Sequence, residues 1–214
     1  MRGGENAKSD KMKKVPIVLA STSPRRIQFM QQTQLPFQIE APSTDESPRS
    51  REKPRALVKR LAQEKAESIQ DKILALHPSG LIIAADTIVV APLSQKILGK
   101  PRNPSEARRM LKLLSGRKHT VLTGYCLFLV SRSSRPKKCV RVISSRVTLR
   151  TLSDKIISNY IASGEPMDKA GAYGAQGLGA CMIDRIEGSF SNVVGLPMGQ
   201  LCQDLEKIMN TSLF

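Results

Sequence analysis

Leu81-Ile82-Ile83-Ala84-Ala85-Asp86-Thr87-Ile88-Val89-Val90 is the stretch that decides how this chain folds. With Ala91 the run is apolar everywhere except at Asp86 and Thr87. An unbroken apolar run bounded by turn residues, with no polar alternation, is the pattern of a strand buried on both faces. A lone carboxylate in such surroundings is destabilising, because burying a charge costs far more than burying a neutral group. Asp86 therefore calls for a cation partner, a metal or a catalytic task, unless it lies near enough to the strand end to reach solvent or a backbone amide.

Toward the N-terminus, residues 15–20 form a second short apolar run, followed by Ser21-Thr22-Ser23-Pro24. Serine can cap and proline suits a first helical turn, so a helix is expected over 25–34. A strand follows at 37–41, then a loop rich in Ser, Pro and charge at 42–54. Residues 55–71 read as one helix with Val58, Leu61, Ala62 and Ile69 on a common face. Lys65 falls within that apolar stripe, where a lysine ordinarily lays its stem along the core edge and sends its ammonium to water.

Toward the C-terminus, a turn at 92–95 and a short strand at 96–99 suggest a hairpin. Pro104 and Ser105 open a helix with Ala107, Met110, Leu111 and Leu114 inward, stopped by Gly116. Two β-rich runs, 120–131 and 140–151, flank a basic loop at 132–138. Ser153 caps a helix reaching 163, glycine-rich loops and short strands fill 171–194, and Pro197 opens a last helix with Met198, Leu201, Leu205 and Ile208 inward. This order is mixed α/β, with more hairpin content than a doubly wound fold.

A length of 214 residues suits one large domain or two intimate lobes sharing a cleft. Residues 1–14 are polar and charged, without the apolar middle of a secretory signal, and read as a disordered basic leader ahead of a domain at 15–210. No apolar run approaches the ~18 residues that span a bilayer, so a cytoplasmic protein is expected. Cys126, Cys139, Cys181 and Cys202 form no Cys-x-x-Cys pair, which disfavours a zinc or dithiol site. The net charge of +16, from 34 Lys and Arg against 18 Asp and Glu, attracts anions. Aromatics are only 4% of residues and Trp is absent, leaving little for base-stacking platforms.

Several segments have chemical potential. Where strand 15–20 meets the following helix, unpaired N–H groups, Ser21, Ser23, Arg25 and Arg26 together suit a phosphate, although an ordinary capped helix has the same look. Lys100, in Leu98-Gly99-Lys100-Pro101, either reaches a phosphate or stands in water at a hairpin end. The loop from Gly164 to Gly177 has four glycines, Asp168, Lys169, Tyr173 and Gln176. Glycines let backbone approach a ligand closely, and the Gln176 amide both donates and accepts, as reading a base edge requires. Glu46, in the 42–54 loop, has no geometric signal of its own.

In order along the chain stand Leu19-Ala20-Ser21-x-Ser23-Pro24-Arg25-Arg26, Asp45-Glu46, Leu61-Ala62-x-x-Lys65-Ala66, Ala85-Asp86-Thr87-x-Val89 and Leu98-Gly99-Lys100-Pro101. Leu114-Ser115-Gly116-Arg117-x-His119-x-Val121-x-Thr123-Gly124, Asp168-Lys169-Ala170-Gly171-Ala172-Tyr173-Gly174-Ala175-Gln176-Gly177 and Asn192-Val193-Val194-Gly195-Leu196-Pro197 follow. This series resembles the Maf proteins, nucleotide pyrophosphatases related in fold to the inosine triphosphatases. The resemblance implies an α/β, mixed-sheet, two-lobed Maf/inosine-triphosphatase-like fold with a central cleft. It also implies metal-dependent hydrolysis of a nucleoside triphosphate to the monophosphate and pyrophosphate, with a divalent cation such as Mg or Mn as cofactor. Position by position, Asp86 would be the catalytic proton acceptor and, with Glu46, a metal-binding acid. Ser21, Arg26, Lys65 and Lys100 would bind phosphate. Arg25, Thr87 and Gln176 match the dTTP/UTP branch, whereas a 7-methyl-GTP branch tends to have Trp at the first of these positions and Glu at the third. Relatives in this family are often homodimers.

A rival within the same chemistry is a house-cleaning enzyme for modified pyrimidine triphosphates, with dTTP or UTP hydrolysis incidental. A competing reading is a nucleic-acid-binding or cell-division regulatory protein with a vestigial nucleotide site. The +16 charge favours that reading; the scarcity of aromatics and the complete polar motif set weigh against it. No membrane partner is expected.

Overall fold

The computed structural model describes residues 15–213, so the leader expected at 1–14 lies outside the described residues. In chain order, β1 (Ile17–Ala20) leads to α1 (Pro24–Gln32), β2 (Phe37–Glu40), α2 (Pro54–Glu67) and α3 (Gln70–Leu76). Next come β3 (Ser79–Val90), β4 (Ile97–Leu98), α4 (Pro104–Leu114), β5 (Lys118–Ser131), β6 (Lys137–Leu149) and α5 (Asp154–Ala162). Three 3-10 turns, Glu165–Asp168, Ala170–Ala172 and Gly177–Met182, precede β7 (Ile183–Glu187), α6 (Phe190–Val194) and α7 (Met198–Met209).

One mixed sheet has the order β2-β1-β3-β5-β6-β7, with the short β4 paired to β3. Strand β1 runs parallel to β2 and β3, and β3, β5, β6 and β7 pair antiparallel in succession. The decisive apolar run is the long central strand β3, buried along nearly its whole length, as its unbroken hydrophobicity predicts. Among the described residues no helix is long and apolar enough to cross a membrane.

Several local expectations are corrected. The helix expected over 55–71 is two helices, because the Ser68 hydroxyl donates to the Lys65 carbonyl (3.0 Å) and Ile69 leaves helical geometry at φ −110°, ψ 0°. That break turns Ile69 into the core. Ser23 makes no side-chain cap on α1; Pro24 begins the helix, and the Ser23 amide instead donates to the Ser21 hydroxyl (3.2 Å). The basic loop at 132–138 is shorter than expected, since β6 already begins at Lys137. Segment 171–194 holds 3-10 turns, one strand and a short helix rather than several strands. Left-handed geometry at Gly171 (φ +70°) and Ala172 (φ +60°) forbids extension there.

The last helix buries Leu201 and Leu205 as its periodicity predicts, and it also buries Asp204. Tyr125 donates to Asp204 Oδ2 (2.6 Å), and Arg141 binds the same carboxylate through Nε and Nη2. Burial opposes the Asp204 charge, but donation from Arg141, Tyr125 and Cys139 outweighs it and draws the pKa down to about 2. A depressed carboxyl pKa stabilises the fold above its unfolded value and loses that contribution as pH falls. Asp204→Asn is expected to lower the thermal midpoint at pH 7, with the gap to wild type closing as pH approaches 2. Thermal unfolding across that range checks it, and a pH-independent gap would contradict it.

Candidate active site

Alternate residues of β3 face opposite sides of the sheet. On one side, Leu81, Ile83 and Ala85 pack with Leu19, Met30, Leu201 and Leu205, whereas Val89 packs with Leu111, Val121 and Tyr160. Thr87 falls between these two cores. On the other side, Ile82 and Ala84 pack against Ala62 and Ala66 of α2, and Ile88 and Val90 against Leu57 and Leu61. Asp86 falls between those. The two polar residues of the run thus occupy seams where apolar packing is interrupted, and a cleft of about 790 Å³ opens there. Of the nine site residues predicted from sequence, all but Gln176 line it.

Lys65 and Asp86 are only 5% and 7% exposed, so neither snorkels to bulk water. Lys65 Nζ donates to Asp86 Oδ1 at 2.7 Å and lies 2.6 Å from Glu46 Oε1. The cation partner that Asp86 demands is therefore Lys65, one ammonium shared by two carboxylates. Close approach of α2 makes this possible. Gly124 pairs with Asp86 across the sheet, and a Cβ there would stand 2.2 Å from the Val58 carbonyl oxygen of α2. Any side chain at Gly124 would push the helix, and Lys65 with it, off the strand.

Glu46 stands on a loop that Arg60 fastens to α2. Arg60 Nε donates to Glu52 Oε1 (2.7 Å), Nη1 to Glu64 Oε2 (2.8 Å) and Nη2 to the Ser47 carbonyl (3.0 Å). Desolvation works against the Glu46 charge, yet the hydrogen bond and charge of Lys65, with Lys100 and Arg26 beyond, hold its carboxyl below the usual range. The acid is ionised at neutral pH.

Arg26 is held from three sides. Its Nε donates to the Gly195 carbonyl (2.9 Å), Nη1 to Ser21 Oγ (3.4 Å) and Nη2 to Thr87 Oγ1 (3.1 Å). Burial lowers its pKa, opposed by the charge of Asp86. Thr123 Oγ1 donates to the Asn192 carbonyl at 2.9 Å, so its proton is spent and Thr87 must donate in the 2.9 Å bond between the two hydroxyls. The direction is then Arg26 to Thr87 to Thr123 to Asn192. Thr123→Val, which removes the fully buried hydroxyl but keeps the shape, is expected to loosen Arg26 and cost about 1–2 kcal/mol in kcat/KM, the order of one buried hydrogen bond. Steady-state kinetics check this, and unchanged kcat/KM would contradict it.

Arg25 Nη1 pairs with Asp168 Oδ2 at 3.1 Å, joining α1 to the first 3-10 turn. Gly99, beside the exposed Lys100, accepts the Gly171 amide (3.0 Å), so the Lys100 hairpin end and the glycine-rich loop form one wall. Tyr173 lines the cleft and shares a 2.7 Å hydrogen bond with His119 Nε2. Burial drives the His119 pKa down to about 4, so this ring is neutral at pH 7. Gln176 is half-buried one residue behind Ala175, which does line the cleft.

Arg60 is not foreseen from sequence, whereas Thr123, Asp168 and Lys169 stand in the motifs and the glycine-rich loop without an assigned role. The one local signal for a Thr123 role is a hydroxyl flanking Gly124 inside an apolar strand. Arg60 shows only as one more basic residue on an exposed helix face.

A family model described as Maf-like protein matches residues 16–208. The dTTP/UTP pyrophosphatase of Clostridioides difficile (strain 630) is 42% identical over 198 residues, covering 92% of this chain and 97% of that protein. The dTTP/UTP pyrophosphatase of Myxococcus xanthus (strain DK1622) is 44% identical over 191 residues, covering 89% and 91%. That of Shewanella denitrificans (strain OS217 / ATCC BAA-1090 / DSM 15013) is 46% identical over 187 residues, covering 85% and 90%.

Proposed function

This chain belongs to the Maf-like protein family, and from that premise we propose that it is a nucleoside triphosphate pyrophosphatase acting on dTTP and UTP. The observation that carries the reading is the buried Lys65 ammonium joining Asp86 and Glu46 at the floor of a cleft that Arg26, Lys100 and Ser21 also line. A triphosphate brings about four negative charges, which such a group of cations can offset. Relatives 42% and 44% identical to this chain, over 92% and 89% of it, have that activity in their names.

A divalent cation fits the acids present. Magnesium is commonly held through one or two carboxylates, with substrate phosphates and water completing its shell. Glu46 and Asp86 already converge on a single positive centre. Among the described residues there is no group of three or more His, Cys, Asp or Glu that could hold a metal alone, so the remaining ligands would come from the nucleotide. When bound, the metal neutralises phosphate charge and acidifies water.

The reaction needs a base, charge neutralisation and a leaving group. Asp86 takes a proton from the attacking water as the water oxygen bonds the α-phosphorus of the α–β bridge. The bridging bond breaks, and its electron pair leaves with pyrophosphate. Arg26 and Lys100 stabilise the charge that develops on the departing oxygens. Arg25 and Thr87 act on selectivity at the cleft wall, while Gln176 contributes through the segment that presents Ala175.

Pyrophosphate release is the test, measured over dTTP, UTP, CTP, ATP, GTP and modified pyrimidine triphosphates, with Mg or Mn and with chelator. The expected result is fastest release from dTTP and UTP and none in chelator. No pyrophosphate from any triphosphate, or inorganic phosphate in its place, overturns the assignment.

A further inference from the structure

Glu165 touches none of the reacting groups, yet its carboxylate is almost fully used. Its Oε1 accepts from the Tyr160 hydroxyl (2.9 Å) and the Gly179 amide (3.0 Å), and its Oε2 accepts from the Leu178 amide (2.9 Å). The Tyr160 hydroxyl in turn accepts from the Gly174 amide (3.2 Å). Burial opposes the Glu165 charge, but the two amides and the Tyr160 hydroxyl more than offset it and keep the acid ionised. All of these bonds converge on the back of segment 173–179. The front of that segment, at Tyr173, Gly174 and Ala175, lines the cleft.

The segment has no slack. A Cβ on Gly179 would stand 2.4 Å from the Gly174 carbonyl oxygen, so its two ends are in contact. Gly177 has φ +68°, and a Cβ there would lie 2.7 Å from Glu165 Oε2. Lys169 adds a strap from the other side, donating to the Glu165 carbonyl (2.7 Å) while its stem packs against Gly174.

We infer that Glu165 is the positioning residue for nucleotide selectivity, holding segment 173–179 from behind so that its uncharged front presents a fixed surface to the nucleoside. The inference rests on the proposed pyrophosphatase reading. The cations at Arg26, Lys65 and Lys100 suit the triphosphate, which leaves the uncharged 173–175 wall for the sugar and base. Asp86 is placed by β3 and α2, neither of which hydrogen-bonds Glu165. Loosening the segment therefore alters which nucleotide fits and leaves proton transfer in place.

Glu165→Gln keeps the shape but puts an NH2 donor where an oxygen now meets N–H groups, and Glu165→Asp retracts the carboxylate by one methylene. Three readouts apply to both variants and to Tyr160→Phe, which removes both the hydroxyl donor to Glu165 and the acceptor of the Gly174 amide. They are amide hydrogen exchange of the ligand-free chain, kcat and KM on UTP, dTTP and CTP, and equilibrium binding of non-hydrolysable UTP and CTP analogues.

For Glu165→Gln the expected result is exchange at Leu178 and Gly179 accelerated by about tenfold or more, the factor that one lost hydrogen bond implies. KM for UTP rises by about tenfold and the preference for UTP over CTP shrinks, with kcat within about twofold of wild type. Glu165→Asp shows a smaller change in the same direction. Unchanged exchange, unchanged UTP/CTP discrimination, or an equal fall of kcat on every substrate overturns the inference. Should the wild-type chain release no pyrophosphate, the functional reading fails separately, and the exchange and binding readouts still decide the role of Glu165.

Discussion

Asp86→Asn is expected to leave the fold intact and to lower kcat by about 10²–10⁴-fold, the range that a positioned general base contributes. Asparagine has the shape of aspartate and keeps an oxygen for the Lys65 ammonium, which retains Glu46 as its charged partner. It cannot take a proton from water. The thermal midpoint should therefore move little while turnover falls, and pyrophosphate release beside a melting curve measures both. Near-wild-type turnover would remove Asp86 from the chemistry. A collapse in stability would instead make it a structural anchor.

Lys65→Met is expected to damage both activity and stability. Methionine keeps an unbranched side chain of similar length but leaves Asp86 buried without its cation, opposite Glu46. Removing one partner of a buried pair costs about 3 kcal/mol at the low end of the usual range, suitable for a site that opens on a cleft. In a domain of this size that is a fall of about 6–12 °C in thermal midpoint. The double variant Lys65→Met/Asp86→Asn should recover much of the lost stability and none of the activity, because it removes the stranded charge along with the base. Strictly additive thermal effects would mean that the pair is not coupled.

The sequence reading and the structure agree most closely where a single strong pattern was at work. Strand β3 is long, central and buried because no polar alternation permits one wet face. Helices α4 and α5 begin and end near their expected bounds; Ser153 accepts the Ile156 amide as expected, and Asn103, ahead of the expected Pro104 start, accepts the Glu106 amide. Agreement failed where two local preferences competed. Ser68 broke the expected 55–71 helix because its hydroxyl could bond the Lys65 carbonyl in place of water. Segment 171–194 turned instead of extending, since its glycines allow left-handed backbone and the cleft wall uses it.

The acids and cations of the site were nameable individually, and the resemblance to a family assembled them, yet several local readings pointed the other way. Lys65 looked like a snorkelling residue, and Glu46, which is indeed largely exposed, gave no sign of the ion pair it makes with Lys65. Their pairing depends on distances across 19 and 21 positions of chain that no periodicity encodes. It also depends on Gly124, whose missing side chain brings α2 against the sheet. Asp204 and Glu165 were invisible for the same reason: the donors they satisfy come from distant strands and turns.

Periodicity and residue chemistry alone establish a buried central strand interrupted by one acid, a mixed α/β order and an appetite for anions, because these follow from neighbours along the chain. Which cation meets that acid, which hydroxyls steer Arg26 and what braces the cleft wall are settled by packing. Those partners become neighbours when apolar surface is buried from both sides of β3, and burial constrains positions that sequence separation leaves free.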